Sequence, residues 1–378
     1  MISLLEFRHE LHKHPELSGR EKMTARRIRE ILEGTMPDLL VSGVGGHGVV
    51  AVFDSGNPGP VVLFRADMDA LPIGEKADFP HASVNPGVSH KCGHDGHTAI
   101  LAGFAEYVSE CRPKRGKLIL VFQPAEETGR GAKAMLEHRA MKSLKPNYSF
   151  ALHNLPGYPE DSVVVRTGTF AAASKGMVIR LKGKTSHASE PEKGKSPASV
   201  MAGLMVDLPR LSGNGNTGDY DDYVLLTLIH GNLGTPAFGT SPGDAVLMVT
   251  LRAYLDADME KLSAGATALV KSRSEAAGLT YDIDFQEEFP ASVNHPEAVE
   301  LITRTCEKLD LSLVEAVLPF RWSEDFAHFT AISRAALFGL GAGENHPALH
   351  NPDYDFPDRL LERGVQIWKS LYHQLLDG

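Results

Sequence analysis

Residues 89–99, S-H-K-C-G-H-D-G-H-T-A, hold a dense group of potential metal ligands. Cys92, His94 and His97 are close neighbours in this stretch, and thiolate and neutral imidazole are ligands that a zinc-like ion prefers. Gly93 and Gly96 permit backbone conformations that would clash with a side chain, so the donors can converge. A buried core thiol beside surface histidines would give the same short pattern. Residues elsewhere in the sequence are needed to distinguish a metal site from a core thiol beside surface histidines.

The strand that precedes this stretch ends in acidic residues. The nearly continuous apolar run 60–66 predicts a strand that is buried on both faces of a sheet, and Asp67 and Asp69 follow it. Two acids spaced by two residues point to the same side of an extended segment. Ligands in α/β sheets gather at the carboxyl ends of strands, which favours a functional site here. One or both acids could instead simply begin a loop.

Two later strands are also followed by polar residues. The apolar run 117–122 leads to Glu126 and Glu127, and the run 148–152 leads to His153. Tandem carboxylates at the end of a strand can divide the work, one binding a metal ion and the other acting as a base on metal-activated water. Glu-Glu pairs are common on exposed surfaces, so this pair is informative mainly because it follows a buried strand. Donors at consecutive strand ends together predict one metal site.

Composition restricts the class of protein. The chain has 378 residues, which suggests two domains, and its 42% apolar and 23% charged residues are ordinary for a globular protein. A net charge of 38 − 48 = −10 argues against binding to nucleic acids or to anionic membranes. The sequence has no apolar run of roughly 18 residues and no signal-peptide pattern. The three cysteines, which are Cys92, Cys111 and Cys306, form no disulfide framework, and we therefore expect a cytoplasmic protein.

The character of the sequence changes near residue 170. The small residues of 168–173 are suited to a hinge, and 177–183 alternate as a half-exposed strand does. Predicted helices at 197–211 and 259–275 over an antiparallel sheet give a ferredoxin-like pattern, with a flexible acidic loop at 212–222. We therefore expect a second, α+β domain.

The chain resembles the aminoacylase / hippurate hydrolase / indole-acetyl-amino-acid hydrolase branch of the aminoacylase–carboxypeptidase metallopeptidase family. The shared strings, in order, are R-A-D-M-D-A-L-P-I, H-K-C-G-H-D-G-H-T-A, F-Q-P-A-E-E, A-L-H-N, S-H-A-S, S-E-D-F and L-H-N-P-D-Y-D-F. The resemblance implies an α/β catalytic domain, with a mostly parallel mixed sheet flanked by helices, at 1–169 and 287–378. It also implies an inserted ferredoxin-like lid or dimerisation domain at 170–286, whose edge strands would pair to form a homodimer or higher homo-oligomer.

The resemblance further implies roles for individual residues. The ligands of two divalent ions per subunit would be Cys92, His94, Glu127, His153 and His350. Glu126 would be the general base, and either Asp67 or Asp69 would orient a ligand or tune the site. Zinc, manganese, nickel and cobalt all suit such mixed ligands, so the metal stays open.

Three residues outside the ligand set have expected roles in catalysis or substrate binding. By resemblance, His187 reaches an active site, usually that of the partner subunit, and stabilises the developing oxyanion; the alternative is a histidine that faces solvent. Arg252 could bind a substrate carboxylate in a bidentate fork. Trp322, where the relatives usually have glycine, lines the acyl pocket or only packs. Gly239 replaces an asparagine of the relatives, which leaves the identity of the substrate open.

These observations predict a metal-dependent amidohydrolase. It would cleave small N-acyl-amino acids, such as N-acetyl or N-benzoyl derivatives, by metal-activated water with Glu126 as the base. A metallo-dipeptidase or carboxypeptidase is the nearest alternative. A non-catalytic metal-binding relative should lack the base, yet Glu126 is present. A structural zinc protein should have four ligands close in sequence, whereas the five here are spread over about 260 residues.

Overall fold

The computed structural model of the protein describes residues 3–76, 78–215 and 220–377. The chain forms two compact units: the larger contains Met1–Phe170, Ser292–Pro319 and Glu324–Gly378, and the smaller contains Ala171–Ala291 and Phe320–Ser323. Within the smaller unit, the backbone N–H of Ala172 donates to the carbonyls of Phe320 and Trp322, which ties the short segment 320–323 to it. Of the acidic loop predicted at 212–222, residues 216–219 lie outside the described residues.

The described residues form ten α-helices, two 3-10 helices and sixteen strands. The α-helices are α1 (Leu4–Lys13), α2 (Lys22–Gly34), α3 (His94–Glu110), α4 (Gly131–Glu137), α5 (Arg139–Lys142), α6 (Ala198–Asp207), α7 (Asp256–Ala276), α8 (Pro296–Leu309), α9 (Ala327–Thr330) and α10 (Leu360–Leu376), with 3-10 helices at Pro191–Lys193 and Pro209–Gly215. The strands are β1 (Leu39–Val44), β2 (Gly48–Asp54), β3 (Val61–Asp67), β4 (Lys117–Gln123), β5 (Tyr148–Pro156), β6 (Val163–Val165), β7 (Gly168–Ala171), β8 (Ala173–Lys182), β9 (Ser186–His187), β10 (Val224–Leu233), β11 (Thr240–Ser241), β12 (Asp244–Ala253), β13 (Thr280–Phe289), β14 (Ser292–Asn294), β15 (Leu313–Glu315) and β16 (Arg334–Gly343). Among the described residues, no helix is both long enough and apolar enough to cross a membrane.

The larger unit is built on a mixed sheet. Its strand order is β1-β2-β4-β3-β5-β16-β6-β15, and the central strands β4, β3, β5 and β16 pair in parallel. Successive residues of β4 from Leu118 to Gln123 are all buried, which requires cover on both faces of the sheet. Helices such as α2, α3 and α8 pack against its strands. The predicted α/β class is confirmed.

Helix α3 begins at His94, inside the Cys/His stretch, so His94 and His97 lie in its first turn. Gly93 precedes the helix with φ 93°, and a Cβ there would lie 2.2 Å from Asn154 Oδ1. A Cβ on Gly96 would lie 2.4 Å from the ring of Phe356. Both glycines are therefore required for the close packing around the stretch.

The smaller unit is an α+β unit. Its antiparallel sheet has the order β10-β12-β8-β13, and α6 and α7 pack against it. Along β12, alternate residues such as Ala245, Leu247 and Val249 are buried, because the helices cover one face of the sheet. Strand β13 supplies the fourth strand of the expected ferredoxin-like pattern.

Candidate metal centre

All the residues that the sequence assigns as metal ligands, and the predicted base, lie together in the larger unit. Potential ligand atoms lie within 4.8 Å of one another in each of three groups, which are Cys92, His94 and His153; Cys92, Glu127 and His350; and His94, Glu126 and Glu127. The Sγ atom of Cys92 belongs to the first two groups. These two groups together offer thiolate, imidazole and carboxylate ligands, as expected for a pair of adjacent divalent ions.

Short segments between elements of the sheet present several of these donors. Cys92 lies just before α3, and Glu126 and Glu127 lie in the turn that follows β4. His350 lies after β16 with a left-handed φ of 65°, and its backbone N–H donates to the carbonyl of Lys91 at 2.7 Å. That bond joins the His350 loop directly to the segment that precedes Cys92.

The position of His153 differs from the prediction. We expected β5 to end at Leu152, whereas it continues to Pro156, and His153 therefore lies inside the strand. The strand continues because β16 pairs with it in parallel beyond that point, with His153 opposite Gly339. Placement within a paired strand fixes the backbone of His153 more firmly than a loop would.

Asp69 contacts two of the expected ligands. The Nδ1 atom of His94 lies 3.2 Å from Asp69 Oδ1 and 3.0 Å from the Asp69 carbonyl oxygen. The backbone N–H of Glu127 donates to Asp69 Oδ2 at 3.1 Å. Asp69 thus fixes the ring of His94 through Nδ1 and leaves Nε2 toward the ligand groups, as acids that support metal-binding histidines do.

Asp67 has different partners. Its Oδ1 lies 2.6 Å from Nδ1 of His97, and its Oδ2 accepts from Arg65 Nη1 at 2.6 Å. The other ring nitrogen of His97 lies 2.6 Å from Asn154 Oδ1. Both nitrogens of His97 are thus engaged with protein side chains. The carboxylate of Asp67 also lies 3.8 Å from His94 Nε2, so it contributes negative charge to the site.

A buried guanidinium lies beside these acids. Arg65 Nη2 donates to Glu324 Oε1 at 2.9 Å and to Asp325 Oδ1 at 3.0 Å, in addition to its bond with Asp67. Burial raises the pKa of Asp325 to about 7, although Arg65 acts in the opposite direction. The backbone N–H of Asp325 reaches Glu126 Oε1 at 3.4 Å. This ion cluster therefore forms one wall of the site next to the predicted base.

We expect Arg65→Met to lower the free energy of unfolding by about 3–5 kcal/mol, because it leaves buried carboxylates without their cation. Denaturant unfolding measures this loss. Arg26→Met is the matched control, since Arg26 pairs with Glu30 on the exposed surface of α2 and should cost about 0–1 kcal/mol. Equal losses in the two variants would show that the buried cluster has no special role in stability.

Burial and the neighbouring carboxylates shift the pKa values of the donors. Burial, followed by repulsion from Glu324 and Glu127, raises the pKa of Glu126 well above its usual range. Burial raises the pKa of Glu127 to about 8 and the pKa of the Cys92 thiol well above its usual value. Although burial alone would lower the pKa of His94, nearby carboxylates raise it to about 10. Bound cations would relieve this repulsion and favour the ionised donors.

Unsatisfied atoms support the same conclusion. Among the described residues, His94 Nε2 and Glu127 Oε1 are buried and have no hydrogen-bond partner. Leaving such atoms unpaired is costly, and buried exceptions call for an explanation such as an ion. The two atoms lie 3.8 Å apart, which is too long for a hydrogen bond between them but leaves both beside the space where adjacent ions would bind. The residues present therefore fit divalent metal ions.

The remaining predicted site residues belong to the smaller unit. His187 is exposed, and its Nδ1 lies 2.6 Å from Ser189 Oγ. Arg252 Nη1 donates to Ser323 Oγ at 3.0 Å, and burial lowers the pKa of its guanidinium. Trp322 is partly buried and stacks on a neighbouring phenylalanine ring. Their roles in oxyanion stabilisation, carboxylate binding and acyl binding stay predictions.

Sequence reasoning missed several residues that touch this site. Arg65 could have been found, because a charged residue within the apolar run 60–66 signals a buried partner. Ser18 lies in the segment 14–19, which proline and glycine interrupt, and Glu21 lies just after it. Ser18 contacts Asp69 and Glu21 is fully buried, and a single sequence holds no signal for either feature.

Comparisons with known proteins show the family of the chain. The family model described as peptidase family M20/M25/M40 matches residues 63–374. The chain is 32% identical to hippurate hydrolase of Campylobacter jejuni over 97% of this chain and 94% of the relative. It is 29% identical to IAA-amino acid hydrolase ILR1-like 5 of Arabidopsis thaliana, over 97% of this chain and 85% of the relative. A crystal structure of the Bacillus subtilis YXEP protein, described as a dinuclear metal-binding peptidase from the M20 family, superposes with a TM-score of 0.82 at 25% identity, covering 99% of this chain and 98% of that one. The chain therefore belongs to peptidase family M20/M25/M40 and is a metal-dependent hydrolase of amide bonds.

Proposed function

We propose that the protein hydrolyses the amide bond of N-acyl-amino acids, releasing a carboxylic acid and an amino acid. The observation that carries the reaction type is the convergence of Glu126 with two ligand groups that share Cys92. The substrate class is supported by the names of two relatives, a hippurate hydrolase and an IAA-amino acid hydrolase, which both describe hydrolysis of an acylated amino acid.

The two groups that share Cys92 would each hold one divalent ion, of zinc, manganese, nickel or cobalt. His94 and His153 would complete the first set, and Glu127 and His350 the second. Such ions, when bound, polarise a carbonyl and lower the pKa of water. Cys92 would serve both sets as a thiolate, whose negative charge reduces the repulsion between two dications.

Glu126 is the proposed general base. Its side chain is buried and belongs to the same group of potential ligands as His94 and Glu127, but it is absent from the two sets that share Cys92. Its carboxylate would remove a proton from the attacking water and deliver it to the leaving nitrogen. Asp69 would keep the ring of His94 oriented through Nδ1 during both steps.

Three residues of the smaller unit complete the proposal. Arg252 would bind the carboxylate of the amino acid, Trp322 would line the acyl pocket, and His187 would donate to the developing oxyanion. A positioned oxyanion donor is worth about 3–4 kcal/mol of transition-state stabilisation. In the proposed homodimer, His187 would act on the site of the partner subunit. We propose a cytoplasmic location, as composition indicated.

We expect the metal-loaded protein to cleave N-acetyl- and N-benzoyl-amino acids faster than dipeptides with a free amino group. Replacing the substrate carboxylate with a carboxamide should lower kcat/KM about 10- to 100-fold, since a charge-assisted bond is worth about 1.5–3 kcal/mol. Release of free amine measures both effects. In Arg252→Met, replacing the substrate carboxylate with a carboxamide should lower kcat/KM much less than it does in the wild type, because the variant already lacks the proposed partner of the carboxylate.

Other outcomes of this panel would redirect the proposal. Faster cleavage of dipeptides than of acylated amino acids would indicate a metallo-dipeptidase or carboxypeptidase. Metal binding without cleavage of any amide would favour a non-catalytic relative.

A further inference from the structure

The turn that presents Glu126 and Glu127 has an unfavourable backbone conformation. Ala125, the residue before them, has φ 53°, in the left-handed region that a residue with a Cβ rarely adopts. This conformation costs about 1–2 kcal/mol relative to the right-handed one. The surrounding structure must therefore hold the turn in place.

Glu21 supplies one of the bonds that hold this turn. Its Oε1 accepts from the backbone N–H of Ala125 at 2.8 Å and from that of Gly19 at 2.7 Å. The residue is fully buried, and its Oε2 has no partner among the described residues. A carboxyl group in this environment is costly to keep, so a purely packing role does not account for it.

Support of helix α2 does not explain the buried carboxyl group either. Glu21 occupies the N-cap position of α2, but its side chain makes no capping hydrogen bond to that helix. Both bonds of its carboxylate instead go to N–H groups outside the helix, and the one to Ala125 spans 104 residues of sequence. The side chain thus connects the segment before α2 to the turn after β4.

The same segment holds the turn at a second point. Ser18 Oγ donates to Asp69 Oδ2 at 2.6 Å, and that oxygen also accepts from the backbone N–H of Glu127 at 3.1 Å. The backbone N–H of Ala70 donates to the Glu16 carbonyl at 2.8 Å, which fixes the segment against the chain beyond β3. Glu126 is therefore flanked on both sides by residues whose N–H groups depend on this segment or on Asp69.

We propose that Glu21 is a positioning residue that fixes the Ala125 turn, and with it the direction of the Glu126 and Glu127 side chains. Ser18 has the same role through Asp69. This inference rests on the proposed roles of Glu126 as base and Glu127 as ligand. It assigns the segment 18–21 to the active site, although none of its side chains is expected to touch substrate or metal.

Two conservative variants separate the reach of the Glu21 side chain from its charge. Glu21→Gln keeps an acceptor oxygen at the same distance from the backbone, whereas Glu21→Asp keeps the charge but shortens the side chain by one methylene group. A misplacement of about 1 Å at an active site can cost about 100-fold in rate. We expect Glu21→Asp to lower kcat about 10- to 100-fold with KM within about threefold, and Glu21→Gln to stay within about threefold of wild type for both.

Glu16→Ala is the matched control for a loss of stability alone. Glu16 Oε2 accepts from the N–H of Thr24 at 2.7 Å and from its hydroxyl at 3.0 Å, and among the described residues its side chain has no hydrogen bond to the Ala125 turn. Glu16→Ala and Glu21→Asp should both lower the midpoint of denaturant unfolding. Only Glu21→Asp should lower kcat.

Metal affinity gives a readout that does not need a substrate. Because Glu127 follows the same turn, Glu21→Asp should weaken Zn²⁺ binding to the metal-free protein about 10-fold, as loss of a residue that supports a ligand does. Glu21→Gln and Glu16→Ala should bind Zn²⁺ as wild type does. If no amide substrate is cleaved, the proposed function fails and the ratio of Zn²⁺ affinities alone decides this inference.

Three results would overturn the inference. A loss in Glu21→Gln with wild-type behaviour in Glu21→Asp would show that the charge of Glu21 matters and that its reach to the N–H of Ala125 does not. Unchanged kcat and Zn²⁺ affinity in Glu21→Asp would show that the turn needs no such support. Parallel losses in Glu16→Ala and Glu21→Asp would reduce the effect to general stability.

Discussion

Glu126→Gln should lower kcat by about 100- to 10,000-fold, the contribution that a positioned general base makes. Glutamine has nearly the shape of glutamate, so it can keep the long contact with the Asp325 backbone N–H, but it cannot take up a proton at neutral pH. KM should change little, because the proposed role of Glu126 lies in the proton transfer and not in binding the substrate. Steady-state kinetics on the best acylated amino acid from the substrate panel measure both constants.

Glu127→Gln provides the comparison that separates a base from a ligand. Glu127 belongs to a ligand group with Cys92 and His350, whereas the proposed base does not. Glu127→Gln should therefore weaken metal binding and recover part of its activity at high metal concentration. Glu126→Gln should keep its metal and recover nothing. A Glu126→Gln enzyme with the kcat of wild type would exclude this residue as the base.

Cys92→Ala should abolish the stabilisation of the protein by divalent metal. The Sγ atom of Cys92 belongs to both proposed ligand sets, so its removal affects both ions at once. A ligand present at about 100 times its Kd stabilises the folded state by about 2.7 kcal/mol. We expect a gain of this size for the wild type when zinc is added to the metal-free protein, and no gain for Cys92→Ala at the same zinc concentration. Thermal unfolding with and without metal measures the difference.

Cys111→Ala is the matched control for this experiment. Cys111 is a free and exposed cysteine, and it belongs to none of the ligand groups among the described residues. Its replacement should leave the gain from zinc unchanged. If Cys92→Ala is stabilised as much as the wild type, then the thiol is not a ligand of either ion.

The sequence predicts those parts of the fold that depend on local pattern. The apolar runs that became β3 and β4 are buried on both faces, and such runs are visible without any partner in view. Strand β1 escapes prediction because its sequence, L-L-V-S-G-V, does not alternate between apolar and polar residues, and most of its residues are exposed or only partly buried. Strand β13 had a usable signal, since Tyr281, Ile283 and Phe285 alternate with acidic residues, but charge in the strand obscured it.

The ends of elements depend on contacts that the sequence does not show. β5 extends past His153 because β16 continues beside it, and that pairing joins residues far apart in the chain. Helix α3 starts at His94 because Gly93 takes a left-handed φ against Asn154. Tertiary packing thus sets the end of β5 and the start of α3, and both lie in the metal centre, where local propensity alone predicts a loop.

The candidate site shows the same division between chemistry and support. The Cys/His stretch and the Glu-Glu pair can be recognised in the sequence, because their side chains are of the types that bind metal ions and protons. The residues that hold them are ordinary in sequence. Glu21 and Ser18 become visible only because hydrogen bonds to Ala125 and Asp69 connect distant segments. A pattern search for ligands therefore finds the donors and misses the residues that position them.

The rate of amide hydrolysis as a function of bound metal tests the central claim most directly. Metal-free protein should be titrated with zinc, manganese or cobalt while bound metal and release of amine from an N-acyl-amino acid are measured together. The two ligand sets that share Cys92 predict no activity without metal and full activity only near two equivalents per chain. Undiminished hydrolysis by the metal-free protein, or metal binding that saturates at one equivalent with full activity, would contradict a centre of two ions.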